Sequence, residues 1–128
     1  MKKILIIDDN ADLANGLAKL FSLSGYTDVS CAYLGHAGIK LASEIHPEVI
    51  LVDLQMPDMD GFAVVKAIRE QSAKPAPICI AVTGYGRDSD KQKTREADFD
   101  FHLTKPFSFQ ELEKILKLSD KKGSALRA

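Results

Sequence analysis

The sequence predicts an α/β protein built on one open, doubly wound sheet of five parallel strands in the order 2-1-3-4-5. Three observations lead there. Five short apolar runs recur along the chain, at Ile4–Ile7, Val29–Ala32, Val49–Val52, Ile78–Val82 and Phe99–Leu103. The stretches between them carry helical rather than strand-like periodicity. Strand and helix alternate five times, which requires a parallel sheet with helices on both faces. Crossovers in such sheets are right-handed, and of the two common strand orders 2-1-3-4-5 suits five strands.

Each element has its own signal. The first run, Ile4-Leu5-Ile6-Ile7, ends at Asp8-Asp9. After it, Leu13, Leu17, Leu20 and Phe21 fall at i, i+4, i+7 and i+8, one face of a helix, and Gly25 sits where a helix C-cap would. The second run leads to a helix from about Gly35 to His46, stopped by Pro47, because a residue before proline is pushed out of the helical region. The third and fourth runs are nearly continuous in Val, Ile and Leu, the composition of parallel strands buried on both faces. Between them Phe62, Val65 and Ile68 share one helical face. The next helical segment, about Asp88 to Ala97, is almost entirely polar. The last helix has the clearest start in the chain: Ser108 and Glu111 form a capping box, Phe107 and Leu112 a hydrophobic staple. It is expected to run to about Leu118 and leave Ser119–Ala128 as a frayed polar tail. Residues 1–128 are read as one domain, with its core at about 3–118.

Composition narrows the function. A chain of 128 residues with 45% hydrophobic and 27% charged side chains is an ordinary globular sequence. It can bury roughly two-thirds of its unfolded surface and needs no disulfide or metal staple to fold. Seventeen basic residues against 18 acidic ones leave a net charge of -1, which gives no electrostatic footprint for nucleic acid or an anionic membrane. The apolar run after Met1-Lys2-Lys3 is shorter than the stretch of about 7–15 residues in a signal peptide or about 20 in a membrane helix, so a cytoplasmic protein is expected. Cys31 and Cys79 lack CxxC spacing and read as two buried thiols of a reducing compartment. On strands 2 and 4 they would stand about 14 Å apart, beyond disulfide reach.

In doubly wound sheets ligands bind outside the carboxyl ends of the strands, where the strand order reverses. The polar residues that interrupt the apolar runs obey that rule. Asp8 and Asp9 end strand 1, Asp53 ends strand 3, Thr83 ends strand 4, and Lys105 lies just beyond strand 5. Taken singly, Asp53 reads as a turn residue, Asp8 and Asp9 as acids at a helix N-terminus, and Thr83 and Lys105 as surface residues. Core packing does not explain five of them on one edge. Three carboxylates brought together repel, so some protonate or a cation binds. Hard oxygen ligands favour Mg2+, and a carboxylate can be the nucleophile that forms an aspartyl phosphate. The Thr83 hydroxyl and the Lys105 ammonium suit phosphoryl oxygens, and Gly84 leaves room for such a group to approach the backbone.

These residues resemble a known family. Asp8-Asp9, Asp53-Leu54-Gln55-Met56-Pro57-Asp58-Met59-Asp60-Gly61, Thr83-Gly84 and Thr104-Lys105-Pro106-Phe107 look like the receiver domain of two-component response regulators, over about residues 3 to 118. The resemblance implies a flavodoxin-like fold and transfer of a phosphoryl group from a phosphohistidine on a sensor histidine kinase or phosphotransfer protein. It implies that Asp53 is the phosphoacceptor. Mg2+ would be held by Asp9, Asp53 and the Gln55 backbone carbonyl, with Asp8 acting partly through water. Thr83, Gly84 and Lys105 would hold the phosphoryl group, and Lys105-Pro106 is expected to be a cis peptide. Thr83 and the residue at His102 would form the switch pair that changes the face made by the 88–97 helix, strand 5 and the last helix, read by a downstream protein target.

Some positions depart from the commonest family pattern. His102 stands where Tyr or Phe is usual, and Asp98 where Gly usually ends the fourth helix. Gln55 and Tyr85 occupy positions that tune phosphoryl lifetime in the family. A lone His between Phe101 and Leu103 is otherwise read as half-buried and structural. The basic run Arg87, Lys91, Lys93 and Arg95 reads as a solvated face or a docking face.

The leading reading is therefore a switch that is not an enzyme, beyond catalysing its own phosphorylation and dephosphorylation. One alternative is a Mg2+-dependent aspartyl-phosphate phosphatase, which would want an acid-base carboxylate two residues after the nucleophile, where this chain has Gln55. A flavodoxin-like cofactor carrier would want a phosphate-binding loop where Asp8-Asp9 stands. A phosphorylation-independent receiver acting only by protein contact is the third.

Overall fold

The computed structural model describes residues 2–71, 77–84 and 99–127, with 119–127 as backbone only. Strands β1 (Lys3–Ile7), β2 (Asp28–Ala32), β3 (Val49–Asp53), β4 (Ile78–Thr83) and β5 (Phe101–Thr104) form one parallel sheet in the order β2-β1-β3-β4-β5. Helix α1 spans Ala11–Leu23, α2 Gly35–Ile45 and α3 Gly61–Gln71, and a C-terminal helix spans Phe109–Arg127. The fold class is the doubly wound, flavodoxin-like one that the alternation of elements predicts.

The strand pleat sends alternate residues to opposite faces, and the apolar runs supply both. Ile4, Ile6, Val49, Leu51, Ile80 and Leu103 join Leu17 and Phe21 of α1 and Leu112 and Leu116 of the C-terminal helix. Leu5, Ile7, Ile50, Val52 and Cys79 pack against Ala42 of α2 and Val64, Val65 and Ile68 of α3. Every residue of β3 and β4 is buried, as their nearly continuous apolar composition predicts. This two-sided core fixes the strands as a rigid frame whose carboxyl ends share one edge.

The helix ends follow local chemistry. The Asn10 side chain accepts a hydrogen bond from the Leu13 amide at 3.1 Å and caps α1. Beyond α1, Gly25 takes φ 95°, the left-handed conformation that glycine adopts without strain. At the C-terminal helix the Ser108 hydroxyl accepts from the Glu111 amide at 3.1 Å, and Phe107 and Leu112 both belong to the core on that face.

Four expectations are corrected in detail. The C-terminal helix continues past Leu118 to Arg127 rather than giving way to a frayed tail. A helix already nucleated and packed propagates cheaply, and Gly123 alone, at about 1 kcal/mol, does not stop it. Strand β5 begins at Phe101, not Phe99. Its entry is set by Asp100, whose amide donates to the Cys79 carbonyl and whose carboxylate accepts from the Cys79 amide at 2.9 Å and from Arg69 of α3 at 2.9 Å. Leu20 shares the apolar face of α1 in sequence but is 44% exposed. Cys31 is half-buried, its Sγ on the Ala14 carbonyl, while Cys79 is fully buried; both thiols are free. The expected 88–97 helix, with Arg87, Asp98 and Tyr85, lies outside the described residues. Among the described residues no helix is long and apolar enough to cross a membrane.

Candidate functional site: a carboxylate cluster at the strand ends

The site is assembled by strand termini. At the end of β1 the Asp8 amide still donates to the Ala32 carbonyl of β2 at 3.0 Å, so Asp8 is held in sheet register although its side chain is polar. One Asp8 carboxylate oxygen then accepts from the Asn10 amide at 2.9 Å, which turns the chain into α1. Asp8 is buried, whereas Asp9 beside it is exposed. Asp53 is the last residue of β3, in register with Val82 of β4, and is 8% exposed.

The loop after Asp53 folds back at once. The Asp53 carboxylate accepts from the Gln55 amide at 3.1 Å, and the Gly61 amide donates to the Leu54 carbonyl at 3.0 Å. A Cβ on Gly61 would lie 2.8 Å from the Asp53 carbonyl oxygen and 2.8 Å from Leu54 Cα, so only glycine lets α3 start this close behind the strand.

Thr83 ends β4 and is buried. Its hydroxyl lies 3.2 Å from Nε2 of His102, which stands on the neighbouring β5 and is half-buried. The Lys105 amide donates to the Thr83 carbonyl at 2.7 Å, which extends the β4–β5 pairing by one residue and places the side chain over the site. Its Nζ donates to Asp8 at 3.2 Å and stands 3.5 Å from the Asp53 carboxylate. The Lys105–Pro106 peptide is cis. Gly84 is exposed, and a Cβ there would meet nothing within 4 Å, so neighbouring atoms do not demand glycine at this position.

Carboxylate oxygens of Asp8, Asp9 and Asp53 all lie within 4.8 Å of one another. Oxygens on an octahedral Mg2+ stand about 2.9 Å apart when adjacent and about 4.2 Å when opposite, so the three carboxylates would draw together around such an ion. Electrostatics agree. Burial is the main reason that the Asp53 carboxyl is pushed up to about 6, with the Asp8 charge adding to it and the Gln55 amide and Lys105 opposing it. Among the described residues, one ammonium stands among three carboxylates, which leaves net negative charge, and a divalent cation fits that donor set.

The structure groups Asp8, Asp9 and Asp53, sets Lys105 against Asp8 and Asp53 and the Gln55 amide on Asp53, and pairs Thr83 with His102 at the same carboxyl edge of the sheet, with Gly84 following Thr83. Sequence reasoning missed two contributors. Asn10 caps α1 within two residues of Asp8. Asp58 accepts from the Gly35 and His36 amides at the amino end of α2, at 2.9 and 3.0 Å. A signal for the second existed: α2 opens on Leu34-Gly35, with no side chain able to cap it, so its first amides need an acceptor from elsewhere.

The chain belongs to the response regulator receiver domain family, whose description matches residues 4–117. It is 35% identical over 127 residues to the probable transcriptional regulator ycf27 of Porphyridium aerugineum, covering 96% of this chain and 51% of that protein. It is 33% identical over 118 residues to the regulatory protein AtoC of Escherichia coli (strain K12), covering 91% of this chain and 25% of AtoC. The chain thus spans about half or less of these relatives. Among solved structures, the chemotaxis protein CheY4 of Vibrio cholerae superposes with a TM-score of 0.85 at 30% identity, over 91% of this chain and 97% of that one. A CheY-like receiver domain protein from Methanospirillum hungatei JF-1 superposes with a TM-score of 0.86 at 25% identity, over 98% of both chains.

Proposed function

We propose that this receiver domain accepts a phosphoryl group on Asp53 from the phosphohistidine of a sensor histidine kinase or a phosphotransfer protein. The observation that carries the reading is the position of Asp53: a buried carboxylate at a strand end, 3.5 Å from the Lys105 ammonium and within the three-carboxylate cluster. In the transfer, an Asp53 carboxylate oxygen forms a bond to phosphorus as the phosphorus–nitrogen bond to the donor imidazole breaks. The bonding pair stays on the imidazole nitrogen. Asp9, Asp53 and the Gln55 carbonyl, with Asp8, would hold Mg2+. When bound, that ion neutralises charge on the phosphoryl oxygens and lets the nucleophile approach them.

This chain's own residues do the rest. Lys105 supplies positive charge to the phosphoryl oxygens, and the Thr83 hydroxyl offers them a hydrogen bond in exchange for the one it shares with His102. An apolar groove of about 700 Å3 between α1 and the Lys105–Phe109 segment, lined by Leu13, Leu17, Leu20, Pro106 and Phe107, opens beside Lys105. It offers the donor protein a seat beside Lys105, whose Nζ stands 3.5 Å from the Asp53 carboxylate, and it includes the exposed Leu20. The chain then acts as a switch, not as an enzyme on other substrates, and passes the signal to a downstream protein from the face that includes β5. The free thiols suit a reducing cytoplasm.

The deciding experiment is incubation with Mg2+ and acetyl phosphate, followed by intact mass. One added phosphoryl group is expected on the wild type and none on Asp53→Ala. Equal labelling of both would place the acceptor elsewhere and end this reading.

A further inference from the structure

The loop that follows Asp53 is fastened to a different helix. Asp58 reaches across to α2, and its carboxylate accepts hydrogen bonds from the Gly35 amide at 2.9 Å and the His36 amide at 3.0 Å, with His36 Nδ1 at 2.7 Å. These contacts, the His36 amide first, hold the Asp58 carboxyl well below the usual carboxylate range. The helix gains an acceptor for its first amides, which Leu34 cannot provide. The next residue adds a packing lock. A Cβ on Gly35 would collide with Met59 Cγ and lie 2.9 Å from Met59 Sδ, so glycine at the head of α2 lets the loop lie flat against it.

We infer that Asp58 is a positioning residue for the cation site: by tying the acceptor loop to the amino end of α2, it holds the Gln55 carbonyl and the Asp53 carboxylate in one arrangement. This rests on the reading of Asp53 and Gln55 as Mg2+ ligands. Only Met56 and Pro57 separate Gln55 from Asp58, and the proline ring removes one of the torsions through which the segment could slacken. At its other end the loop is closed by the Gly61 amide on the Leu54 carbonyl and by the Ala63 amide on the Asp60 carboxylate, at 3.0 and 2.8 Å. Among the described residues, the Asp58 tie is thus the hydrogen-bonded one that fixes the middle of the loop against a different element, with Met59 packed beside it. Without it, the Gln55 carbonyl explores more orientations, and each cation bound must first restrict them.

The test uses the full chain and two readouts. Mg2+ affinity is measured by amide NMR titration, and hydrogen exchange of the Gln55 and Gly61 amides is measured without metal. Asp58→Ala is expected to weaken Mg2+ binding about tenfold, the lower end of what outer-shell partners of metal ligands contribute, and to speed exchange at both amides. Asp58→Asn keeps one accepting oxygen and should recover part of both. His36→Ala removes only the side-chain arm and should move affinity less than Asp58→Ala does. Gly25→Ala, which strains the backbone far from the loop, controls for stability and should leave Mg2+ affinity unchanged. A folded Asp58→Ala protein with wild-type affinity and wild-type exchange overturns the inference. Should Asp58→Ala fail to fold, wild-type affinity in Asp58→Asn with both amides exchanging faster overturns it equally. A wild type that binds no Mg2+ removes the metal reading of the site, whereas wild-type Mg2+ binding with an indifferent Asp58 removes only the positioning role.

Discussion

Replacing Asp53 by asparagine is expected to stabilise the metal-free protein at neutral pH. The Asp53 carboxyl is raised from 3.8 to about 6 in the folded chain, chiefly by burial and then by the charge of Asp8. A group whose folded value lies above its unfolded one supports the fold while protonated, and that support disappears as pH rises through the folded value. The window therefore runs from about pH 4 to about pH 6.5. That rise corresponds to about 3 kcal/mol, and halving it for solvent screening at the open sheet edge leaves about 1.5 kcal/mol. Asparagine has the shape of the protonated acid without its titration and can still accept from the Gln55 amide. Asp53→Asn should melt about 5 °C above the wild type at pH 7.5 without metal, with the gap closing towards pH 4. The chain has no tryptophan, so unfolding is followed by circular dichroism. Saturating Mg2+ at pH 7.5 should also narrow the gap, since the ion stabilises the wild type preferentially. A pH-independent gap, or an asparagine variant no more stable than the wild type, would refute the claim that Asp53 carries the strain of the site.

Three further outcomes follow from the same geometry. Mg2+ should raise the melting temperature of the wild type and do so much less for Asp9→Asn; equal shifts would remove Asp9 from the ligand set. Lys105→Ala takes away the cation 3.2 Å from Asp8 and 3.5 Å from Asp53, and labelling by acetyl phosphate in the mass assay should fall by a factor of about 100 or more. Unchanged labelling would make Lys105 a structural counter-ion only. His102→Ala removes the imidazole 3.2 Å from the Thr83 hydroxyl, and it should shrink the amide NMR shifts that beryllofluoride induces along Phe101–Lys105. A full wild-type pattern in that variant would leave His102 a core residue.

Much of this architecture was legible because its signals are local and repeated. The continuous runs Val49–Val52 and Ile78–Val82 could only be strands buried on both sides, and the polar residue ending each run then had to lie at one edge. What sequence could not reveal were contacts made at a distance. The uncapped Leu34-Gly35 start of α2 signals that its first amides need an acceptor, but nothing in the pattern around Asp58 marks it as that acceptor, because backbone amides carry no sequence signature. The start of β5 moved to Phe101 for the same reason: Asp100 bonds to Cys79 and Arg69, residues 21 and 31 positions away. The C-terminal helix ran longer than its composition suggests, since propagation from a packed helix depends on what precedes it.

The site's chemistry and its cost in stability have one source. Strands that are apolar to their last residue bring Asp8 and Asp53 to the edge of a dry core, where a carboxylate is poorly solvated and gains from any cation that reaches it. An exposed Asp53 would keep an ordinary carboxyl value and would draw a cation less strongly. A deeper one would stay protonated near neutral pH and would lack the charged oxygen that the proposed transfer needs. At 8% exposure, with a folded value of about 6, Asp53 sits between those limits: ionised at neutral pH, and sharing the Lys105 ammonium with Asp8. The sheet supplies that placement, and the loop and helix ends around it determine how firmly the placement is held.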